Sequence, residues 1–286
     1  METEFRKAIE IAEKLEADFG AQPDYWADLA RTQLGIAGYL QASGLHQEVN
    51  QMIEWGMAHY AKLAEDFPDE NLYRLGLARG HRLLGINLSY AGRTAEAEAA
   101  YERAIEMGLD STSVWAHLAA AQLSLGNMDG YRKSCAYLLE HFDQGELWQD
   151  ANTVAWFCLL SPDSGVDFAR VVQVAEQALT RRDRNSPPTF RHDVLNTLGV
   201  ALYRAGRYQE AIERLGKSMQ AHPKGGDPDD WLFLAMAHWK IGHANDARQW
   251  YDRAVEWMEK NASRNQDRRR FLAEAAALIE VEPKEP

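Results

Sequence analysis

The sequence has little cysteine and lacks any long apolar run. Of its 286 residues only Cys135 and Cys158 are cysteines, and both stand in apolar stretches. Such isolated thiols are typical of buried side chains in a reducing compartment and do not form a disulfide framework. No run of 18 apolar residues occurs, and the N-terminus has no basic start followed by an apolar segment. We therefore expect no membrane insertion and no signal peptide, and we predict a cytoplasmic protein.

Positively charged residues are also fewer than negatively charged ones. The chain has 31 Lys and Arg residues against 43 Asp and Glu residues, which gives a formal net charge of −12. An acidic chain repels phosphate backbones, so nucleic-acid binding is disfavoured. Hydrophobic residues make up 46% of the chain, which is enough to build a folded core.

Recognisable catalytic and metal-binding motifs are missing from the sequence. It contains no glycine-rich phosphate loop, no GxSxG, no HExxH and no CxxC. Asp18-Phe19-Gly20 spells the DFG of protein kinases, but no HRD accompanies it. A comparison at a spacing of 48 residues aligns it with Asp66-Phe67-Pro68, which indicates a helix end. We predict that the chain is not an enzyme and that it holds no cofactor and no metal.

A 34-residue repeat is the main positive signal. The segments 78–111 and 112–145 are in register, with Gly92 opposite Gly126. Glycine at this place ends a helix in a left-handed conformation that glycine adopts freely. Gly85 stands where the first helix of the pair comes closest to its partner, so we expect only a small residue to fit. Repeats of this length indicate stacked pairs of antiparallel helices.

Other segments follow the same plan with variations, and they predict one all-α array over 1–286. Its predicted parts are a partial repeat or N-terminal cap at 1–29, a long repeat at 30–77, regular repeats at 78–111, 112–145, 192–225 and 228–261, a degenerate repeat at 148–184, and a capping helix at 267–280.

The units resemble tetratricopeptide (TPR) repeats in their small, aromatic and alanine positions. This resemblance implies a right-handed α-solenoid that binds a protein or peptide partner in a concave groove. Segments such as NTLGVALYRAGRYQEAIERLGKSM are similar to the C-terminal repeats of planctomycete serine/threonine kinase-like proteins. That similarity implies a fragment of a larger bacterial signalling protein.

By the TPR resemblance, fixed positions on the first helix of each unit line the groove. The candidate groove residues are Arg31, Arg79, Arg82, Tyr90, His117, Asn152, Trp156, Asn196, Tyr203, Arg204, Trp239 and Lys240. Arg31, Arg79 and Arg82 would form a basic patch for an acidic segment or a carboxylate. Asn152 and Asn196 would bond an extended peptide backbone. Packing between repeats stays open for the aromatic residues, and a solvated face stays open for the arginines.

Two other functions stay open at this point. One is a homo-oligomerisation module, in which the partner is a second copy. The other is a sensor of a small ligand that binds in the groove near Trp156 or Trp239.

Overall fold

The computed structural model of the protein describes residues 22–42, 46–143, 147–181, 189–261 and 265–279. Within these ranges every regular element is an α-helix and no strand occurs, so the predicted all-α fold class is confirmed. Asp18-Phe19-Gly20 and most of the partial repeat expected at 1–29 lie outside the described residues.

Thirteen helices follow one another along the described part of the chain. In order, α1 to α13 span Pro23–Ala42, His46–Asp66, Asn71–Tyr90, Thr94–Glu106, Thr112–Ser124, Met128–His141, Trp148–Leu159, Phe168–Thr180, Phe190–Arg204, Tyr208–Ala221, Pro228–Lys240, Ala244–Lys260 and Gln266–Ile279. We call the odd-numbered helices α1 to α11 first helices and the even-numbered helices second helices. None of the described helices combines the length and the apolar character that a membrane span requires.

The chain divides into two compact units, and the boundary falls inside α5. Unit 1 is Met1–Ala121 and unit 2 is Gln122–Pro286. Each unit is described separately below, and the single array over 1–286 stays a prediction.

In unit 1 the helix pairs α1/α2 and α3/α4 pack as hairpins, and α1 also contacts α3. Gly85 on α3 faces the ring of Tyr101 on α4 so closely that a Cβ atom would lie 2.5 Å from it. Gly92 follows α3 with φ +76°, in the left-handed region. The close approach at Gly85 and the turn at Gly92 are therefore confirmed, and both follow from the lack of a side chain.

In unit 2 the hairpins are α7/α8, α9/α10 and α11/α12. The first helices α7, α9 and α11 lie side by side, since α9 contacts both of the others. Side by side, these three helices form one continuous surface. We call this surface, defined by Trp156, Tyr203, Arg204 and Phe233, the inner face of unit 2.

Candidate binding surfaces

The three arginines predicted as a basic patch line one cavity in unit 1. This cavity has a volume of about 640 Å³, and we call it the arginine pocket. Arg31 comes from α1, Arg79 and Arg82 from α3, and Ser113 from α5. Arg79 and Arg82 are three residues apart, a spacing that places side chains on one helix face. The spacing of Arg79 and Arg82, together with the contact of α1 with α3, thus brings the three arginines to one cavity.

The guanidinium groups of the arginine pocket are only partly compensated. Arg31 pairs with Asp28 on its own helix, and Arg82 donates from Nη1 to Ser113 Oγ at 3.3 Å. Neither Arg79 nor Arg82 makes an ion pair with any residue that the structure describes. The described part of the lining includes the carboxylate of Asp110, which accepts a hydrogen bond from Trp115 Nε1 at 2.9 Å.

The tyrosine and the histidine beside these arginines are neutral near pH 7. Tyr60 lines the pocket and donates to the carbonyl oxygen of Ala27, and burial raises its pKa against the opposing effects of Arg31 and Arg79. Burial lowers the pKa of His117, and the charge of Arg82 lowers it further against a hydrogen bond to Ser113. Neither ring therefore supplies a counterion for the positive charge of the pocket.

Two further candidates of unit 1 do not line the arginine pocket. Tyr90 lies at the end of α3 with 70% of its surface exposed. His117 is half-buried and stacks on Tyr101, with ring centroids 5.7 Å apart. The structure thus brings together the three arginines but not these two rings.

In unit 2 the candidates on the inner face are covered by α13. Tyr203 is buried, and the ring of Phe233 lies 5.5 Å from it. The Arg204 guanidinium lies 5.3 Å from the centre of the Phe233 ring and donates from Nη2 to Glu274 Oε2 at 2.8 Å. Burial raises the pKa of Tyr203, and the carboxylate of Glu274 raises it further. Both side chains are engaged inside unit 2.

Asn196 is engaged inside unit 2. Its amide nitrogen donates to Asp230 Oδ1 at 2.8 Å, and the side chain is buried. One of the two N–H donors of this amide is therefore used inside the unit, and a role for Asn196 in binding a peptide backbone stays a prediction.

The remaining candidates lie on α7 and α11. Asn152 is half-buried, and no described residue donates a hydrogen bond to its buried Oδ1. Trp156 and Trp239 are also half-buried. Lys240 is exposed and lines a cleft of about 470 Å³ together with Arg204 and Glu274.

A buried polar network at the start of α11 was not predicted. Asp230 is fully buried, accepts from Asn196, and contacts His192 Nε2 at 3.0 Å. Burial lowers the pKa of His192, but its contacts with Asp193 and Asp230 outweigh this effect and raise the pKa to about 10. The run Asp227-Pro228-Asp229-Asp230 is a capping signature that could have revealed part of this network.

Among the residues that the structure describes, two groups of three side chains come close enough to hold a metal ion. They are His192, Asp227 and Asp230, and His238, His243 and Asp246. In the first group the oxygens of Asp230 already contact His192, Asn196 and the backbone nitrogen of Asp227. The absence of a metal stays a prediction.

Two parts of the repeat array are similar to a known repeat family. Two family models described as tetratricopeptide repeat match residues 82–145 and 202–266. No curated protein matches the chain.

Solved structures also resemble the chain. The structure of BtubC from P. vanneervenii is 18% identical, with a TM-score of 0.57, over 76% of this chain and 87% of that one. NprR in complex with its cognate peptide NprX is 15% identical, with a TM-score of 0.53, over 96% and 78%. The structure of the APC/C hetero-tetramer Cut9-Hcn1 is 15% identical, with a TM-score of 0.52, over 94% of this chain and 45% of that one. At these identities the likeness concerns the fold, and together with the family models it shows that this all-α chain carries tetratricopeptide repeats.

Proposed function

We propose that the protein is a non-catalytic scaffold that binds a polypeptide partner, and that the arginine pocket holds a carboxylate of that partner. The observation that carries the proposal is the pair Arg79 and Arg82, which share one cavity without an ion pair among the described residues. Two like charges at this spacing oppose each other, so an anion between them is stabilised. NprR, which shares the fold, was solved with its cognate peptide, and this supports a peptide as the ligand.

A carboxylate fits the pocket better than a nucleic-acid phosphate. Guanidinium groups bind carboxylates through two parallel hydrogen bonds, and three guanidinium groups face this cavity. The net charge of −12 opposes a long polyanion, whereas it weakly affects a short segment held at a local cationic site. We infer that the ligand is an acidic peptide segment or a chain terminus.

The proposal is tested with the full chain and a labelled peptide of alternating glutamate and serine. Fluorescence anisotropy should show binding that weakens with added salt, and the same peptide with glutamine for glutamate should bind about tenfold more weakly. The variant Arg79→Gln/Arg82→Gln should lose at least about tenfold in affinity.

Arg74→Gln is the matched control, because Arg74 lies exposed on the same helix and bonds to Asn71 outside the pocket. Equal binding by the double variant and this control would show that the pocket is not the binding site.

We also propose that the repeats are an arm of a larger kinase-like signalling protein in a bacterial cytoplasm. The similarity of the repeat segments to planctomycete kinase-like proteins supports the first part, and the free, buried Cys135 and Cys158 support a reducing compartment. The reading frame upstream of Met1 tests the origin. A kinase catalytic loop encoded there agrees with it, and an in-frame stop codon directly before Met1 contradicts it.

A further inference from the structure

The last helix, α13, does not continue the stack of hairpins in unit 2. Among the helices that precede it, the first helix α11 packs more on the second helix α10 than on the first helix α9. The pattern is reversed for α13, which packs mainly on the first helix α11 and only slightly on the second helix α12. A helix in the place of the next repeat would follow the earlier pattern, so α13 lies instead against the inner face.

An aromatic anchor holds α13 in this position. Phe271 is fully buried, and its ring centre lies 4.9 Å from that of Phe233 on α11 and 5.9 Å from that of Trp156 on α7. Ala275 and Ile279 continue the buried stripe at intervals of four residues. One side of α13 therefore reaches first helices of two different hairpins.

Ion pairs flank this apolar stripe at two points. Glu274 pairs with Arg204 of α9, whose side chain is only 3% exposed. Arg268 donates to the carboxylates of Asp227 and Asp229 at 3.0 Å each, beside the start of α11. Without α13, Arg204 would lose its counterion and Phe233 would lose its cover, so the inner face requires an occupant.

The helix depends on this face for its structure. It has 14 residues, a length at which an isolated helix is marginal in water. Its outer side carries the exposed residues Gln266, Arg269 and Ala273, whose spacing places them on one helix face. These are the properties of a short amphipathic ligand that folds where it binds.

We propose that the inner face of unit 2 is a groove for an amphipathic helix, which α13 fills within the chain and which a partner helix of the same pattern fills in its place. The pattern is an aromatic residue, a carboxylate three positions later and small residues after it, as in Phe271, Glu274 and Ala275. This groove shares no residue with the arginine pocket, and the proposal is independent of the function assigned there.

The test uses the full chain with the release variant Phe271→Ala/Glu274→Arg, which weakens α13 and leaves the groove residues unchanged. The probe is a labelled peptide with the sequence of residues 265–279, and its binding is measured by fluorescence anisotropy. In the wild type the tethered helix competes at an effective concentration on the order of millimolar. Removing its aromatic anchor should therefore tighten peptide binding about a hundredfold relative to the wild type.

Matched variants locate the binding. Ala273→Gln, on the exposed side of α13, should bind the peptide as weakly as the wild type does. In the single variant Phe271→Ala, whose α13 keeps Glu274, Arg204→Glu should abolish binding of the natural peptide and restore binding of a peptide that carries Glu274→Arg. A release variant that is folded by circular dichroism but binds the peptide no better than the wild type overturns the proposal. Peptide affinities that do not change with Arg204→Glu overturn it as well.

A measurement on the wild type covers the case in which the release variant does not fold. Amide hydrogen exchange should be at least about tenfold faster in α13 than in α11, because a resident ligand opens without global unfolding. Equal protection of the two helices would show that α13 is a fixed part of the core and would end the proposal.

Discussion

The two units carry first-helix surfaces of opposite character. In unit 1 the surface opens into the arginine pocket, where Arg79 and Arg82 have no carboxylate partner among the described residues. In unit 2 the corresponding surface is aromatic, and α13 covers it so that Arg204 is buried against Glu274. One kind of hairpin therefore supports either an open charged site or a filled apolar one. The side chains and their cover decide which site forms.

The largest expected contrast concerns the carboxylates of the two units. Asp230→Ala should lower the free energy of unfolding by about 3–5 kcal/mol, because it leaves His192 and Asn196 without their buried acceptor. Asp28→Ala should change it by less than about 1 kcal/mol, because the Arg31–Asp28 pair is exposed. Guanidinium chloride unfolding measures both values. Similar losses in the two variants would remove the distinction between a buried and a solvated network.

The arginines give the next contrast. Arg204→Ala should lower the free energy of unfolding by about 1–3 kcal/mol, because Glu274 is left partly buried without its counterion. Arg79→Ala should stay within about 0.5 kcal/mol of the wild type, because no ion pair with a described residue is lost. The same unfolding experiment compares them. A larger loss for Arg79→Ala would contradict the open state of the arginine pocket.

A pH dependence should distinguish unit 2. The pKa of His192 is raised to about 10, above its ordinary value of 6.5, so the protonated ring stabilises the fold below pH 6.5. This stabilisation is lost as the pH rises from 6.5 towards 10, and we expect a loss of roughly 1–2 kcal/mol after allowance for solvent screening. Thermal unfolding across this range should show the decline in the wild type. His192→Gln should lack that decline, and an unchanged slope in this variant would exclude His192 as its source.

The smallest effect concerns two glycines. A Cβ atom at Gly35, which lines the arginine pocket, would meet nothing within 4 Å, so Gly35→Ala should raise the free energy of unfolding by about 0.5–1 kcal/mol. At Gly199 in unit 2 the same methyl group would lie 2.6 Å from Leu215, so Gly199→Ala should destabilise the protein. Thermal melting gives both signs, and a destabilising Gly35→Ala would indicate that the space is not open.

Much of the local structure follows from residue types at fixed spacings. Gly85 and Gly92 predict the close approach and the turn of one hairpin, because both places exclude a Cβ atom. Arg79 and Arg82 predict a shared face through their spacing of three. Asn196 could not be assigned in this way, because its partner Asp230 lies 34 positions later and becomes a neighbour only when α9 and α11 pack together.

The sequence by itself determined the helices, their repeat and the shared helix face of Arg79 and Arg82, because these depend on contacts within one hairpin or on one helix. Only the tertiary structure decided that α13 packs more on the first helix α11 than on the second helix α12. The apolar stripe of α13 predicts that the helix is buried, but its direction of burial depends on Phe233, Trp156 and Arg204 meeting in space. Such contacts join residues far apart in the chain, and no local pattern encodes them.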